Sequence, residues 1–460
     1  MTKQSPNKII IKGSEMSSKS AQDNINPPPQ SSQNTLEIAK PKSNTNKYYA
    51  LVLLTIVYAF NFVDRQLLAI LQETIKADLQ LSDSQLGLLT GFAFAVFYVT
   101  AGIPIARWAD RGNRRNIISI SLFLWSLMTA VSGFVQNYAQ LVLARIGVGV
   151  GEAGGSPPSH SIISDIFPPE SRAGALGFYS TGVNIGILFG FLLGGWLNEI
   201  FGWRTAFIVV GAPGIILAII VRMTLAEPVR GLSENREAGD EKSSFRKVVS
   251  VLWGTISFRH LALAAGLNAF VSYSLSSWVA SFMIRIHSMS TGELGTWLAL
   301  IVGVGGAIGV FGGGMLADKL AKKDKRWYAW LPALTGMISL PFLYLFFISE
   351  SAYTALMCFV IPGILANVYL GSVLATTHGL VGLRMRAMAS AILFLIINII
   401  GLGLGPWSIG ILSDYLSDSY QQESLRYAML YILPVVSIWS VCHFYFAAKN
   451  LRNDLANAPS

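Results

Sequence analysis

Four ionisable side chains stand inside long apolar stretches of this sequence. Asp64 and Arg65 are neighbours in the first stretch, and Arg145 and Glu152 lie seven residues apart in a later one. A charged group inside a membrane-crossing helix costs about 2.5–3.5 kcal/mol on insertion scales, so it is normally paired or faces water and carries function. A guanidinium binds phosphate through two parallel hydrogen bonds. The pattern predicts a site in which Arg65 and Arg145 bind an anionic group.

The two carboxylates suit proton exchange. Burial of a carboxyl group favours its protonated form, whereas a neighbouring arginine favours its ionised form. Asp64 and Glu152 are therefore expected to neutralise the arginines when the site is empty, and at least one of them to take up a proton when substrate draws the arginine away. This competition would couple a proton to the substrate.

Helix arithmetic indicates that Asp64 and Arg145 meet. Asp64 lies roughly 24 Å along a helix that begins near Tyr48, and Arg145 lies roughly 10 Å along one that begins near Tyr138 and runs the other way. In a core about 30 Å thick, the two heights differ by less than one helical turn. Glu152 lies on the same helix face as Arg145, nearer the midplane.

Two other interpretations of the four charges stay open. They could form a permanent salt bridge that only locks two helices together. Alternatively, the first helix could end at Val63, which would put Asp64 and Arg65 among the lipid headgroups. That helix would have only 16 residues from Tyr48, and the apolar run 67–71 would have no explanation.

The composition places these charges in a membrane. Of 460 residues, 52% are hydrophobic and 13% are charged, whereas an ordinary soluble domain has about 25% charged residues. The two cysteines, Cys358 and Cys442, exclude a disulfide framework or zinc site,. Basic residues lie between apolar runs without interleaved aromatics, so nucleic acid is not an expected partner. The sequence also shows no cofactor motif.

Apolar runs of about 20 residues predict an all-α membrane protein with twelve transmembrane helices in two pseudo-symmetric six-helix halves. The runs are 48–71, 84–106, 116–134, 138–167, 171–198, 203–225, 258–285, 291–317, 327–348, 352–380, 386–412 and 424–448. The predicted divisions are a disordered tail 1–47, an N-terminal half 48–225, a linker 226–257, a C-terminal half 258–448 and a tail 449–460. Continuous apolar runs exclude a barrel of alternating strands.

Lysine and arginine set the expected orientation. With both termini in the cytoplasm, 28 of the 34 basic residues fall on the cytoplasmic side and four on the other, namely Lys76, Arg204, Arg285 and Arg426. This split follows the positive-inside rule. Short loops and the absence of Asn-x-Ser/Thr sequons favour a bacterial inner membrane.

The halves repeat each other, which is typical of transporters with a substrate site between them. Residues 108–111 (WADR) match 316–319 (LADK), and 171–173 (SRA) match 385–387 (MRA). Gly314-x-x-x-Asp318-Lys319 and the charges Asp110, Arg111, Arg114 and Arg115 resemble the loop signature of the major facilitator superfamily, although Ala106 stands where its glycine is usual. The resemblance implies that Asp110 and Asp318 hold the halves together on the cytoplasmic side, in the outward-open state.

More narrowly, the chain resembles the Spinster-like branch of that superfamily. The motifs are 61–65 (NFVDR), 149–153 (GVGEA) and 384–391 (RMRAMASA). The resemblance implies a secondary transporter of an anionic amphipathic lipid, such as a lysophospholipid or sphingosine-1-phosphate, working by alternating access, with protons as a further partner. The alternatives are transport of a small organic anion or amphipathic drug and, more remotely, a lipid scramblase or receptor. A monomer is expected.

Polar residues in the second half are weaker candidates. Five of them are possible cavity-lining groups, although polar residues of this kind are more often helix–helix contacts: Asn268, Tyr273, Tyr369, His378 and Asn398. His160-x-x-x-x-Asp165 matches an acyltransferase pattern, but five residues on one helix place the two groups about 140° apart. We therefore expect no enzyme.

Overall fold

The structure is a computed structural model that describes residues 46–230, 245–382 and 385–458, nearly all of them helical. The first half forms α1 (Lys47–Leu79), α2 (Asp83–Gly87), α3 (Ala93–Arg111), α4 (Arg114–Ser132), α5 (Tyr138–Glu152), α6 (Ser156–Ile166) and α7 (Pro169–Thr224). The linker and second half form α8 (Phe245–Gly254), α9 (Ile256–His287), α10 (Thr291–Leu298), α11 (Gly305–Ala321), α12 (Trp327–Ile348), α13 (Ala352–Leu365), α14 (Tyr369–Gly379), α15 (Arg386–Ile397), α16 (Gly405–Tyr420) and α17 (Ser424–Ala456). Single π-helical segments at Leu88–Phe92, Ala299–Val304 and Asn398–Leu404 join α2 to α3, α10 to α11 and α15 to α16.

The helices account for the predicted crossings. Within the described residues, nine helical stretches are long and apolar enough to cross a bilayer. Two of them, Pro169–Thr224 with 56 residues and Met388–Ala456 with 69, far exceed the about 20 residues of one crossing, so each supplies two. The broken helix α5–α6 supplies one more. The all-α polytopic fold is confirmed, and its helices are consistent with twelve crossings.

Breaks recur at corresponding places in the two halves. α5 ends at Glu152 and α6 begins at Ser156, with Pro157 and Pro158 in its first turn,. In the second half, α13 ends at Leu365 and α14 begins at Tyr369. Interrupted helices at equivalent positions are typical of transporter halves and point to the binding site between them.

Glycines of α7 bring it against α1. A Cβ atom added to Gly186 would lie 2.3 Å from the carbonyl oxygen of Ala59, and one added to Gly190 would lie 2.9 Å from that of Val63. Small residues spaced four apart allow such an approach between membrane helices. The contact fixes the rotation of α1 and therefore the direction of Asp64 and Arg65, which follow Val63.

Several expected boundaries differ from the structure. α1 continues through Asp64 to Leu79, so the alternative that it ends at Val63 is wrong. The expected linker 226–257 contains α8, and α17 extends through most of the expected tail 449–460. Residues 1–45, most of the expected N-terminal tail, lie outside the described residues, as does Arg384 of the Spinster-like motif. We call the end where α1 begins and α17 ends the proximal end, and the opposite one the distal end.

Candidate functional site

Asp64 and Arg145 form a sealed ion pair between α1 and α5. Arg145 Nη1 donates to Asp64 Oδ2 at 2.7 Å, and the hydroxyl of Thr129 on α4 donates to Asp64 Oδ1 at 2.5 Å. Both charged side chains are 3% exposed. Because both carboxylate oxygens have donors, the pair ties three helices together.

Arg65 and Glu152 form a second, differently placed pair. Arg65 Nε donates to Glu152 Oε2 at 2.8 Å, and Nη2 lies 2.7 Å from the same oxygen. The Arg65 side chain is 16% exposed, whereas that of Glu152 is fully buried. Glu152 Oε1 has no hydrogen-bond partner within the described part of the chain. Arg65 therefore covers a buried carboxylate of which only one oxygen, Oε2, accepts hydrogen bonds.

Aromatic rings surround the two guanidinium groups. Phe94 of α3 lies under both, with its ring centre 4.7 Å from Arg65 Cζ and 5.8 Å from Arg145 Cζ. Phe62 and Tyr98 lie 5.1 and 5.2 Å from Arg65 Cζ. Ring faces attract a cation without neutralising it, so the arginines keep their positive charge for an anion.

A small cavity of about 60 Å³ lies beside these arginines, at the boundary between the halves. Arg65 and Arg145 line it from the first half, and Tyr273, Ser276 and Ser277 of α9 line it from the second. Pockets for drug-sized ligands have volumes of roughly 300–1,000 Å³, so this cavity is several times too small for such a molecule. An amphipathic molecule requires the halves to move apart. Sequence reasoning missed Phe94, Thr129, Ser276 and Ser277, because aromatic and hydroxyl residues are common in membrane helices.

The five polar candidates of the second half divide into one lining residue and four with other contacts. Tyr273 lines the cavity. The Asn268 amide donates to the Ala366 carbonyl at the α13–α14 break, and that of Asn398 donates to Phe394 in its own helix. His378 Nε2 lies 2.6 Å from the Ser390 hydroxyl, joining α14 to α15. Tyr369 is buried in the apolar core of the second half.

The loop-signature residues make their described contacts within their own half or with the start of the linker. Arg114 is buried and binds Asp165, Glu227 Oε1 at 2.8 Å and the Pro228 carbonyl at 2.9 Å. The Arg115 backbone N–H donates to Glu227 as well. The other four signature residues are exposed: Asp110, Arg111, Asp318 and Lys319.

Asp318 has one further contact, because it accepts a hydrogen bond from Tyr328 at 3.0 Å. The gate that the resemblance implies between the halves stays a prediction. Asp165 of the acyltransferase-like pattern forms an ion pair with Arg114 of α4.

A charge cluster at the distal end joins the two halves and was missed by sequence reasoning. Arg285 of α9 binds Glu73 of α1 and Asp83 of α2, at 2.6–2.8 Å. Asp414 of α16 accepts the backbone N–H groups of Asp83 and Ser84 at 2.9 and 2.8 Å. The sequence alone places Arg285 among four basic residues on that side. These contacts hold the two halves together at the distal end.

Three comparisons place the chain among known proteins. The family model of the Major Facilitator Superfamily matches residues 54–406. An MFS-type efflux pump of Mycolicibacterium smegmatis is 32% identical over 88% of this chain and 94% of that protein. The sphingosine-1-phosphate transporter SPNS2 of Danio rerio is 27% identical over 86% of this chain and 82% of that protein. Sugar-acid transporters match too, such as a probable L-galactonate transporter of Escherichia coli, 28% identical over 59% of this chain and 62% of that protein.

A solved structure shares the fold. It is the crystal structure of a bacterial homologue of the human lysosomal transporter Spinster, in an inward-facing and unoccupied conformation. Its TM-score is 0.81 and its sequence identity 33%, over 89% of this chain and 98% of that one. The chain is therefore a multi-pass membrane transporter and not an enzyme: it belongs to the Major Facilitator Superfamily and resembles its Spinster-like members.

Proposed function

We propose that this transporter moves an anionic amphipathic lipid, of the lysophospholipid or sphingosine-1-phosphate type, by alternating access coupled to protons. The observation that carries the proposal is the Arg65–Glu152 pair, in which a cavity-lining guanidinium covers a sealed carboxylate. An arriving anion can bind Arg65. Glu152 then loses its ion-pair partner and can take up a proton.

The headgroup is proposed to bind Arg65 first. Arg65 lies at the boundary between the halves, and its planar group can hold two oxygens of a phosphate. Arg145 lines the same cavity, but Asp64 already holds one of its nitrogens at 2.7 Å. Arg145 Nε has no hydrogen-bond partner within the described residues. A phosphate between the two arginines would use this donor.

Glu152 is proposed to carry the proton. When phosphate draws Arg65 away, the carboxylate loses its counter-ion inside a water-poor site, and an isolated buried charge is costly. Protonation removes that cost, and Oε1 is open to receive the proton. Asp64 is the weaker candidate, because both of its oxygens already accept hydrogen bonds.

An amphipathic lipid suits the walls of the site. Phe62, Phe94 and Leu402 supply apolar surface beside the two arginines. A lipid tail would extend along this surface once the halves separate at the proximal end, since the distal end is closed. The similarity to the sphingosine-1-phosphate transporter of Danio rerio supports the same substrate class.

Two alternative functions are also consistent with this scaffold. The efflux pump and sugar-acid relatives favour an amphipathic drug or a small organic anion on the same scaffold. A scramblase or receptor would need no proton step. For the molecule as a whole, we propose a monomer in a bacterial inner membrane, with the proximal end and both termini in the cytoplasm and Asp110 and Asp318 as the gate of the opposite conformation.

Proton flux into proteoliposomes that contain a trapped pH dye tests the proposal. Lysophosphatidic acid or sphingosine-1-phosphate, added under a proton gradient, is expected to drive flux in the wild type but not in Glu152→Gln. Glu293→Gln is the matched control, because Glu293 lies at the distal surface and accepts a hydrogen bond from Tyr353 at 2.8 Å, away from the cavity. It is expected to keep the flux.

Each other outcome selects an alternative. Flux with small organic anions but not with lipids would favour a transporter of small organic anions. Unchanged lipid-driven flux in Glu152→Gln would exclude Glu152 as the coupling residue. Lipid movement without a gradient and without proton flux would favour a scramblase.

A further inference from the structure

Two contacts of the same design join the halves at the distal end. In the first contact, the Asp414 carboxylate of α16 accepts the backbone N–H groups of Asp83 and Ser84, at 2.9 and 2.8 Å. These two residues begin the continuous helix Asp83–Arg111. The first N–H groups of a helix have no partner within it, so a carboxylate of the second half caps a helix of the first.

The second contact runs in the opposite direction. The Glu199 carboxylate of α7 accepts the backbone N–H of Gly292 at 2.6 Å, and Gly292 lies in the first turn of the continuous helix Thr291–Ala321. The Thr291 hydroxyl also donates to the Gly195 carbonyl oxygen at 3.0 Å. Here a carboxylate of the first half caps a helix of the second, so the two halves exchange equivalent caps.

A glycine four residues before each carboxylate brings the helices together. A Cβ atom added to Gly410 would lie 2.3 Å from the carbonyl oxygen of Asp83. One added to Gly195 would lie 2.2 Å from the carbonyl oxygen of Thr291. Small residues allow membrane helices to approach this closely. Each contact is therefore a Gly-x-x-x-Asp or Gly-x-x-x-Glu motif of one half that packs on a helix start of the other.

The spacing of these residues follows the internal repeat. Gly195 and Gly410 are 215 residues apart, close to the 214 residues between the SRA and MRA motifs. The side chains of Ser82 and Ser290 cap the two helices that receive the carboxylates. They are 208 residues apart, which equals the offset between the WADR and LADK motifs. Both sides of the contact thus have a counterpart in the other half.

We propose that Glu199 and Asp414 are two equivalent latches that set the equilibrium between the closed and open conformations of the distal end. The halves of such transporters rock against each other around a central site, so both caps must break when the distal end opens. A carboxylate at a helix N-terminus is stabilised by the unpaired N–H groups and the helix dipole. The proposal does not depend on which substrate is moved.

Alkylation of Ser281→Cys by a charged maleimide tests the proposal. Ser281 of α9 is fully buried and accepts a hydrogen bond from Gln72 of α1 at 2.7 Å, so the reagent reaches a cysteine there only when the halves part. The initial alkylation rate therefore measures the open fraction, even when that fraction is small. The protein is purified in detergent, with its two native cysteines replaced by serine.

Glu199→Ala and Asp414→Ala are each expected to raise this rate about fivefold. Loss of a side-chain cap typically costs about 1 kcal/mol, and 1.4 kcal/mol is a tenfold change in an equilibrium. The double variant is expected to reach about 25-fold, because the two latches share no residue and their free energies should add. Glu199→Gln keeps an oxygen acceptor for the helix start and is expected to give a rate between those of the wild type and Glu199→Ala.

Two matched comparisons separate the latches from general effects. Asp418→Ala removes an exposed carboxylate one turn beyond Asp414 and is expected to leave the rate unchanged. Gly195→Ala forces the α7–α10 contact apart and is expected to raise the rate. Gly177→Ala on the same helix has nothing within 4 Å of the new atom and is expected not to raise it.

Four outcomes would overturn the proposal. One is an unchanged rate in both Glu199→Ala and Asp414→Ala. Another is a raised rate in only one of them, which would show that the contacts are not equivalent. An equal rise in Asp418→Ala would indicate a diffuse charge effect. The fourth is a lower thermal unfolding midpoint in the latch variants without faster alkylation, which would make the contacts structural only.

Discussion

Arg285 and Asp83 form a two-pronged ion pair across the boundary between the six-helix halves. Arg285 Nη1 donates to Asp83 Oδ2 at 2.7 Å, and Nη2 donates to Oδ1 at 2.6 Å. The same guanidinium also holds Glu73 through two donors. One cation on α9 therefore neutralises two carboxylates of the first half, and this cluster holds the distal end closed.

Replacing Arg285 with Gln is expected to open the distal end. Removal of one partner from a buried ion pair costs about 3–5 kcal/mol, and Glu73 and Asp83 regain water when the halves separate. Since 1.4 kcal/mol is a tenfold change in an equilibrium, the population of the distally open conformation should rise at least tenfold. Pulsed EPR between spin labels at Phe134→Cys and Tyr415→Cys, two exposed distal positions, measures it as a longer distance.

The matched control for this variant is Arg204→Gln. Arg204 lies at the same end, but its ion-pair partner, Asp78, belongs to its own half. Its loss should leave the distance distribution unchanged. The two native cysteines are replaced by serine in every labelled protein. An Arg285→Gln distribution identical to that of the wild type would show that the cluster does not control closure.

The Asp64–Arg145 pair is expected to contribute more to stability than the Arg65–Glu152 pair. Arg145→Gln leaves Asp64 as a buried charge without a partner, and Asp64→Asn does the same to Arg145. Each variant should lose about 3–5 kcal/mol of folding stability. The double variant removes both charges and should be more stable than the sum of the single effects implies. Thermal unfolding midpoints in detergent give the comparison, with Arg65→Gln as the milder reference because Arg65 faces the cavity. Additive losses would contradict a direct pair.

The sequence anticipated more of the fold than of the site. Apolar length located the spans, because hydrocarbon requires a continuous helix. Helix rise also placed Asp64 level with Arg145, which the structure brings into contact. The sequence could not show that α1 continues to Leu79. In the sequence, Glu73 cannot be told from an ordinary charge at the end of a membrane span. Its contact with Arg285 depends on how the two halves pack.

Residues around the charges were harder to predict for a similar reason. Phe94 is one of 25 phenylalanines, and its place under both guanidinium groups depends on the close packing of α3 on α5. Gly149 allows that packing, since a Cβ atom there would lie 3.3 Å from the Phe94 carbonyl. The π-helical segments likewise have no signal in hydropathy.

Asp324 should stabilise the proximal end in a pH-dependent way. It binds Arg326 at 2.9 Å and Arg452 at 2.7 Å, linking the α11–α12 loop to α17. Hydrogen bonding by Arg326 holds the pKa of Asp324 well below its ordinary 3.8. A lowered pKa in the folded state stabilises at any pH above the ordinary value, and the effect is lost as pH falls through the lowered one.

Unfolding midpoints between pH 7 and pH 3 check this expectation. Asp324→Asn should lie below the wild type by a constant amount at neutral and mildly acidic pH, and the two should converge as the pH falls below 3.8. Asp418→Asn removes an exposed carboxylate and is expected to have little effect. A gap between Asp324→Asn and the wild type that widens on acidification would have the wrong sign.

The contact between α1 and α7 should tolerate no side chain at Gly186. A Cβ atom there would lie 2.3 Å from the Ala59 carbonyl oxygen and 2.6 Å from the Phe62 side chain, so the backbones must separate. Overpacking of this kind costs typically 1–3 kcal/mol. Gly177→Ala on the same helix has nothing within 4 Å of the new atom and should gain about 1 kcal/mol of helix propensity. Gly186→Ala should therefore lower the unfolding midpoint and Gly177→Ala should not. Equal midpoints in both variants would show that α1 and α7 pack less closely than the structure indicates.

Because α1 carries Arg65, Gly186→Ala should also weaken substrate-driven proton flux.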